Sequence, residues 1–268
     1  MAPLAGYGAR QLIIPVGDRL SRRSLPYVNI AIIAANFLVF FYELTLSSHA
    51  PLGRLSPLDR WFYDWGAIPA CVSDSLGLKT NVNPRDLTIV CGENHALPGV
   101  LASMFMHAGW LHILGNMLFL WVFGDNVEDA LGHVRYLVFY LIVGLAATAT
   151  QIALSMDSLV PGIGASGAIA GVMGAYLVMF PRARIAVFIP LFFFLGAPYI
   201  SAAVLIGIWF MMQLFTGVAS LGQAAGDSGV AWWAHVGGFL AGVLLVKLFL
   251  AGRPPRRQYQ WRGRSWQE

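Results

Sequence analysis

The chain is poor in charge. Only 11% of its 268 residues are Asp, Glu, Lys or Arg, while 57% are hydrophobic; soluble domains carry roughly 25% charged residues. A soluble protein of this composition would expose large apolar patches, whereas lipid solvates the same side chains at no cost. The Arg and Lys residues sit at the chain ends and between apolar runs, and they form no face interleaved with aromatics, which argues against nucleic acid as a partner. Cysteine is scarce as well: Cys71 and Cys91 are the only two. HExxH is missing and no carboxylate lies near His107, His112 and His235, so a zinc site built from these histidines is disfavoured and no metal or other cofactor is expected. There is no internal repeat, no soluble domain, and no pair of related halves with interrupted helices of the kind transporters use.

What is present is a set of six hydrophobic runs near the ~20 residues that a bilayer crossing requires. They cover approximately Tyr27 to Leu46, Trp110 to Phe123, Val134 to Leu154, Ser166 to Phe180, Ser201 to Leu221 and Ala231 to Leu250. The second and fourth are short, and reach spanning length if Leu101 to Ala108 and Ile185 to Ile189 lie at the interfaces. The fold class read from this pattern is an all-α integral membrane protein with six transmembrane helices. Positive residues are retained on the cytoplasmic side. The N-terminal segment holds Arg10, Arg19, Arg22 and Arg23, and the tail holds Arg253, Arg256, Arg257, Arg262 and Arg264, so both termini are expected to be cytoplasmic. The layout is then a cytoplasmic segment over 1–26, a six-helix domain over 27–250 with a long external loop at about 47–109, and a basic cytoplasmic tail over 251–268.

Both cysteines fall in that external loop. If it lies in an oxidising compartment, nearby thiols tend to pair. A Cys71–Cys91 disulfide is expected, closing a turn-rich stretch without regular structure between the two.

Polar groups inside apolar spans are expensive and mark function. Gly162-Ile163-Gly164-Ala165-Ser166-Gly167 opens the fourth span from the external side. Its glycines let the backbone turn sharply into a helix whose unpaired N-terminal amides suit a negative charge beside Ser166, although a serine there is more often a helix cap. In the sixth span Ala234, Gly238 and Gly242 recur every four residues around His235, and the fourth span offers Gly167 and Gly171 as a matching smooth surface. Contact between those stripes would bring His235 toward Ser166. His112 and Asn116, one turn apart at the same depth, share a helical face, and an amide donor that cannot ionise suits an oxyanion. No acidic side chain is apparent on an intramembrane face. Ala146, in the third span, is assigned to lipid.

Taken together these segments resemble the rhomboid protease family. Gly164-Ala165-Ser166-Gly167 looks like its GxSG motif, Ala234-His235 through Gly238 and Gly242 like AHxxGxxxG, His112 and Asn116 like HxxxN, and Gly124, Glu128 and Gly132 like a structural GxxxExxxG segment. The resemblance covers about Pro98 to Leu250. It implies a six-transmembrane-helix rhomboid-like bundle acting as an intramembrane serine endopeptidase, with Ser166 as nucleophile and His235 as base. His112, Asn116 and the Ser166 backbone amide would be the oxyanion donors. Gly164, Gly167, Gly238 and Gly242 would be structural motif positions. The expected partners are transmembrane protein substrates and the lipid bilayer, the expected location a bacterial plasma (inner) membrane, and nothing fixes an oligomeric state. Two departures stand out. Ala170 occupies the position where some members stack an aromatic ring on the histidine, which leaves the orientation of His235 unexplained. Arg60-Trp61 reverses a Trp-Arg pair, so no role is transferred to it.

Overall fold

The computed structural model describes residues 14–18, 20, 24–50, 54–188, 198–221 and 230–252. The arginines on which the orientation rests, Arg10, Arg19, Arg22, Arg23 and those from Arg253 onward, lie outside the described residues, as does Ile189.

A strand β1 (Ile14–Asp18) precedes helix α1 (Tyr27–Thr45). Four short helices follow: α2 (Pro57–Trp65), α3 (Pro69–Ser75), α4 (Pro84–Cys91) and α5 (Ala96–Ala102), the last running into a 3-10 turn at Ser103–Phe105. Then come α6 (Trp110–Leu131), α7 (His133–Leu154), α8 (Ser166–Met179), β2 (Arg184–Phe188), β3 (Tyr199–Ser201), α9 (Ala202–Ser220) and α10 (Trp232–Leu250). The six apolar runs are thus six helices: α1, α6, α7, α8, α9 and α10. By length and hydropathy α1, α7, α9 and α10 can each cross a membrane, and the α5 segment with α6 makes a fifth candidate bent by 78°. Helix α8 is apolar but has only 14 residues. Outward side chains such as Phe215, Leu244 and Leu248 are about two-thirds or more exposed; helices apolar all round belong in lipid or in a large core.

The structure departs from the sequence expectations at four places. Leu101 to Ala108 do not continue α6 as straight helix, because the chain bends by 78° between the 3-10 turn and α6. That helix reaches 22 residues in the other direction, through Gly124 to Leu131. Of its polar residues there, Asn126 and Glu128 are buried and Asp125 and Asp129 half-buried. Glu128 accepts the Val28 and Asn29 amides at 3.0 and 2.7 Å, supplying the carboxylate that the first turn of α1 lacks in its own sequence. The stretch from Ile185 does not extend the fourth span as helix: it belongs to strand β2, the centre of a three-stranded antiparallel sheet in the order β1-β2-β3. Ile14 faces Phe188 and Asp18 faces Ile185 across a bulge at Pro15 and Gly17. A small sheet therefore accompanies the bundle. Asp18 ties it to α6 and α8, accepting from Asn126 Nδ2 at 2.9 Å and from the Tyr176 hydroxyl at 2.5 Å. Finally, the stretch between the cysteines is not irregular. It contains most of α3 and α4, with Ser56 and Asn83 capping α2 and α4.

The core is the seam where α8 packs against α6, α7 and α10. Tyr136, Tyr140 and Tyr176 are fully buried in it, with Phe123 against the Tyr176 ring at 5.0 Å. Gly238 and Gly242 permit the closest approach. A Cβ at Gly238 would collide with the Gly167 carbonyl and one at Gly242 with the Gly171 carbonyl, so the two backbones themselves are in contact.

Candidate active site

Ser166 is the first residue of α8, and the turn that feeds it is set by Gly164. That residue has φ of +122°, a region that side chains with a Cβ rarely adopt, and its N–H donates to the Ser103 carbonyl at 2.8 Å. The N-cap of α8 is Ala165, which makes no side-chain cap bond. Ser166 is therefore not spending its hydroxyl on capping. Its Oγ lies 2.8 Å from His235 Nε2, across a sequence separation of 69 residues. The stripe of Ala234, Gly238 and Gly242 does meet Gly167 and Gly171. Backbone contact between α8 and α10 sets the depth at which the two side chains face each other.

The other ring nitrogen, His235 Nδ1, lies 2.7 Å from Gln213 Oε1 on α9. Trp209 and Trp232 flank the imidazole with ring centroids at 5.9 and 6.2 Å. Sequence reading left this side of the ring unexplained. The available signal was an amide inside the otherwise apolar stretch Trp209 to Phe215. On α7, Gln151 accepts the Ala234 N–H at 3.2 Å and so braces the first turn of α10 beside His235.

His112 and Asn116 stand on α6 across from the Gly162–Gly164 segment. A Cβ at Gly164 would lie 2.7 Å from His112 Nε2 and 3.7 Å from Asn116 Nδ2. Asn116 Nδ2 also lies 2.9 Å from His107 Nε2, and His107 Nδ1 lies 3.3 Å from the Phe105 carbonyl. The carbonyl can only accept, so His107 is protonated at Nδ1 and its Nε2 accepts a hydrogen bond from the Asn116 amide. His107 is thus a holder of Asn116. Among the described residues, no three His, Cys, Asp or Glu side chains converge as a metal ion would need.

A buried acid does exist within a span. Glu43, 2% exposed near the end of α1, accepts from Trp61 Nε1 at 3.3 Å and from the His107 N–H at 3.1 Å. It anchors the first loop rather than the imidazole of His235.

That loop presses on the approach to Ser166. Ala67 and Gly162 exchange both backbone hydrogen bonds, at 3.1 and 2.9 Å, and the Ala70 N–H donates to the Ser158 carbonyl at 3.0 Å. Asn81 donates twice to Asp157, at 2.7 and 2.9 Å, holding that carboxyl below the usual carboxylate range. Cys71 and Cys91 are bonded, with Cα atoms 5.3 Å apart, which joins α3 to the end of α4. A small cleft lined by Ser103, Thr148, Gln151, Gly164 and Ala234 opens beside Ser166.

Residues 95–252 match a family model described as Rhomboid domain. The presenilin-associated rhomboid-like protein, mitochondrial, of Bos taurus is 30% identical over 150 residues, covering 55% of this chain and 37% of that protein. Rhomboid protein 1, mitochondrial, of Saccharomyces cerevisiae is 30% identical over 149 residues, or 54% of this chain and 40% of that protein. RHOMBOID-like protein 6, mitochondrial, of Arabidopsis thaliana is 35% identical over 78 residues, 29% of this chain and 25% of that protein. The chain thus spans well under half the length of these relatives. They are named as mitochondrial proteins, so the expectation of a bacterial plasma membrane draws no support from them, while a multi-pass membrane protein fits both them and the apolar helices.

Proposed function

The chain belongs to the rhomboid family, and from that premise we propose that it is an intramembrane serine endopeptidase that cleaves transmembrane segments of other proteins. The observation that carries this reading is the 2.8 Å approach of Ser166 Oγ to His235 Nε2. In the proposed reaction Ser166 Oγ attacks the substrate carbonyl while its proton passes to His235. The charge that develops on the carbonyl oxygen is held by His112, Asn116 and the Ser166 backbone N–H, one of the amides that the start of α8 leaves without an intrahelical partner. His235 then returns the proton to the leaving amine. Water entering by the cleft beside Ser166 is activated by the same imidazole and releases the acyl group, regenerating the serine. The substrate helix must unwind locally first, because its amides are otherwise hydrogen-bonded and shielded.

This reading places the Ser166 end of the bundle at the external face, both termini on the cytoplasmic side, and the loop over 47–109 outside. The test is labelling of the purified protein by a fluorophosphonate, together with cleavage of a single-span reporter in liposomes. Wild type is expected to label and cleave. Ser166→Ala should abolish both, and His235→Ala should lower turnover at least about 10³-fold while the protein still accumulates in the membrane. A wild-type protein that neither labels nor cleaves would mark the chain as a non-enzymatic binder of membrane clients.

A further inference from the structure

His235 touches more than Ser166, and the second contact determines what the first can do. A neutral imidazole carries one proton, and the nitrogen that holds it is selected by the hydrogen bond of the other. Only with Nδ1 protonated does Nε2 keep a lone pair to accept the Ser166 proton; the opposite tautomer would point an N–H at Oγ and leave no base. The oxygen of Gln213 accepts and cannot donate, and it lies 2.7 Å from Nδ1. Gln213 is 7% exposed on a helix of otherwise apolar neighbours, where an unpartnered amide is costly, and His235 is the partner it has. Neither aromatic neighbour can choose a tautomer. Trp209 is tilted by 41° to the imidazole and Trp232 presents itself at 87°, so both bound the ring without hydrogen-bonding it. Ala170 is too small to reach it.

We infer that Gln213 is the positioning residue of the site, holding His235 in the Nδ1-protonated tautomer and aiming Nε2 at Ser166. The inference rests on the protease reading, yet it makes a claim about the imidazole that does not depend on turnover. Gln213 carries no charge, so it directs the ring without placing an anion in the bundle.

The test combines ¹⁵N NMR of histidine-labelled protein, with the His235 signal identified by its loss in His235→Ala, and kinetics on a single-span reporter. In wild type at a pH where the ring is neutral, Nδ1 should show the shift of a protonated nitrogen and Nε2 that of an unprotonated one. Gln213→Leu should give a mixture of tautomers and lower kcat by about tenfold or more, up to the 10²–10⁴-fold span of general-base catalysis, with KM within about twofold of wild type. Gln213→Glu, which still offers an acceptor, should recover the wild-type tautomer and most of kcat. Protonation of Nε2 in wild type, or a Gln213→Leu protein with unchanged kcat, overturns the assignment. Should Gln213→Leu fail to fold, the wild-type and Gln213→Glu spectra still decide it. A wild type that neither cleaves nor reacts with fluorophosphonate would sink the protease reading, and the tautomer would then judge Gln213 alone.

Discussion

Asn116 has two amide hydrogens, and one of them is directed at His107 Nε2. The hydrogen bond fixes the amide plane, so the second hydrogen is aimed without an entropic cost at the moment of reaction, which is what makes a preorganised donor effective. Asn116→Ala is expected to lower kcat by up to about 10²–10³, or roughly 2.7–4 kcal/mol, with fluorophosphonate labelling of Ser166 retained. His107→Phe should cost less, because the donor survives and only its aim is lost. Equal and negligible effects of both changes on reporter cleavage would assign the pair to structure. Side chains of this kind were partly legible in the sequence. Ser166, His235, His112 and Asn116 stand out because each interrupts an apolar run and together they match a spacing pattern. Gln213 and Glu43 interrupt apolar runs just as plainly. They went unread because each is isolated in sequence and gains its meaning from a partner on another element, His235 in one case and the Trp61 and His107 loop in the other.

Between elements, the seam of α8 with α10 is the tightest constraint. A methyl group at Gly238 would meet the Gly167 carbonyl, which belongs to a helix backbone and cannot rotate away. Gly238→Ala should therefore both destabilise the protein, by roughly 1–3 kcal/mol or more as overpacking does, and reduce turnover, because it pushes His235 away from Ser166. Ala149→Leu, on an exposed face of α7, should leave thermal stability and cleavage near wild type. Equal tolerance of the two in a thermal melt would show that the stripes do not govern the seam. The stripe was visible in advance because a four-residue repeat of small residues has few uses besides close packing. Its surroundings were less so: Ala146, assigned to lipid, is half-buried. The end of α6 was misplaced because Asp125, Asn126 and Glu128 break the hydropathy, although Asn126 and Glu128 are buried and Asp125 half-buried. Strands β1 and β2 are far apart in sequence and each is only five residues long, so neither pattern announces the pairing.

Across the whole molecule, Ser166 and His235 come from the second half of the chain, while the loop packed ahead of Ser166 comes from the first. The bonded Cys71 and Cys91 close a stretch of 20 residues, worth roughly 3 kcal/mol in the loop-entropy account, and the same loop grips the segment ahead of Ser166 through Ala67, Ala70 and Asn81. Mass spectrometry of protein alkylated before reduction should find both cysteines unmodified. Reduction should lower the melting temperature and turnover, with Ser166 still present and reactive on reoxidation. Full alkylation of both residues in freshly isolated membranes would reject the bridge and the outward placement of the loop with it. The first half matters in a second way, through Glu128. That carboxylate is fully buried, and two of its hydrogen bonds come from the backbone of α1, nearly a hundred residues earlier. The stretch that matches the family model starts at residue 95 and includes Glu128, but α1, which supplies the two amides, lies outside it. Cut out alone, that stretch would uncover Glu128 and leave its carboxylate with His133, without the two α1 amides. The matched stretch is therefore not a self-contained module: a chimera that grafts it onto a foreign first helix inherits the reacting groups, and works only if the start of that helix brings two backbone N–H groups to the Glu128 carboxylate.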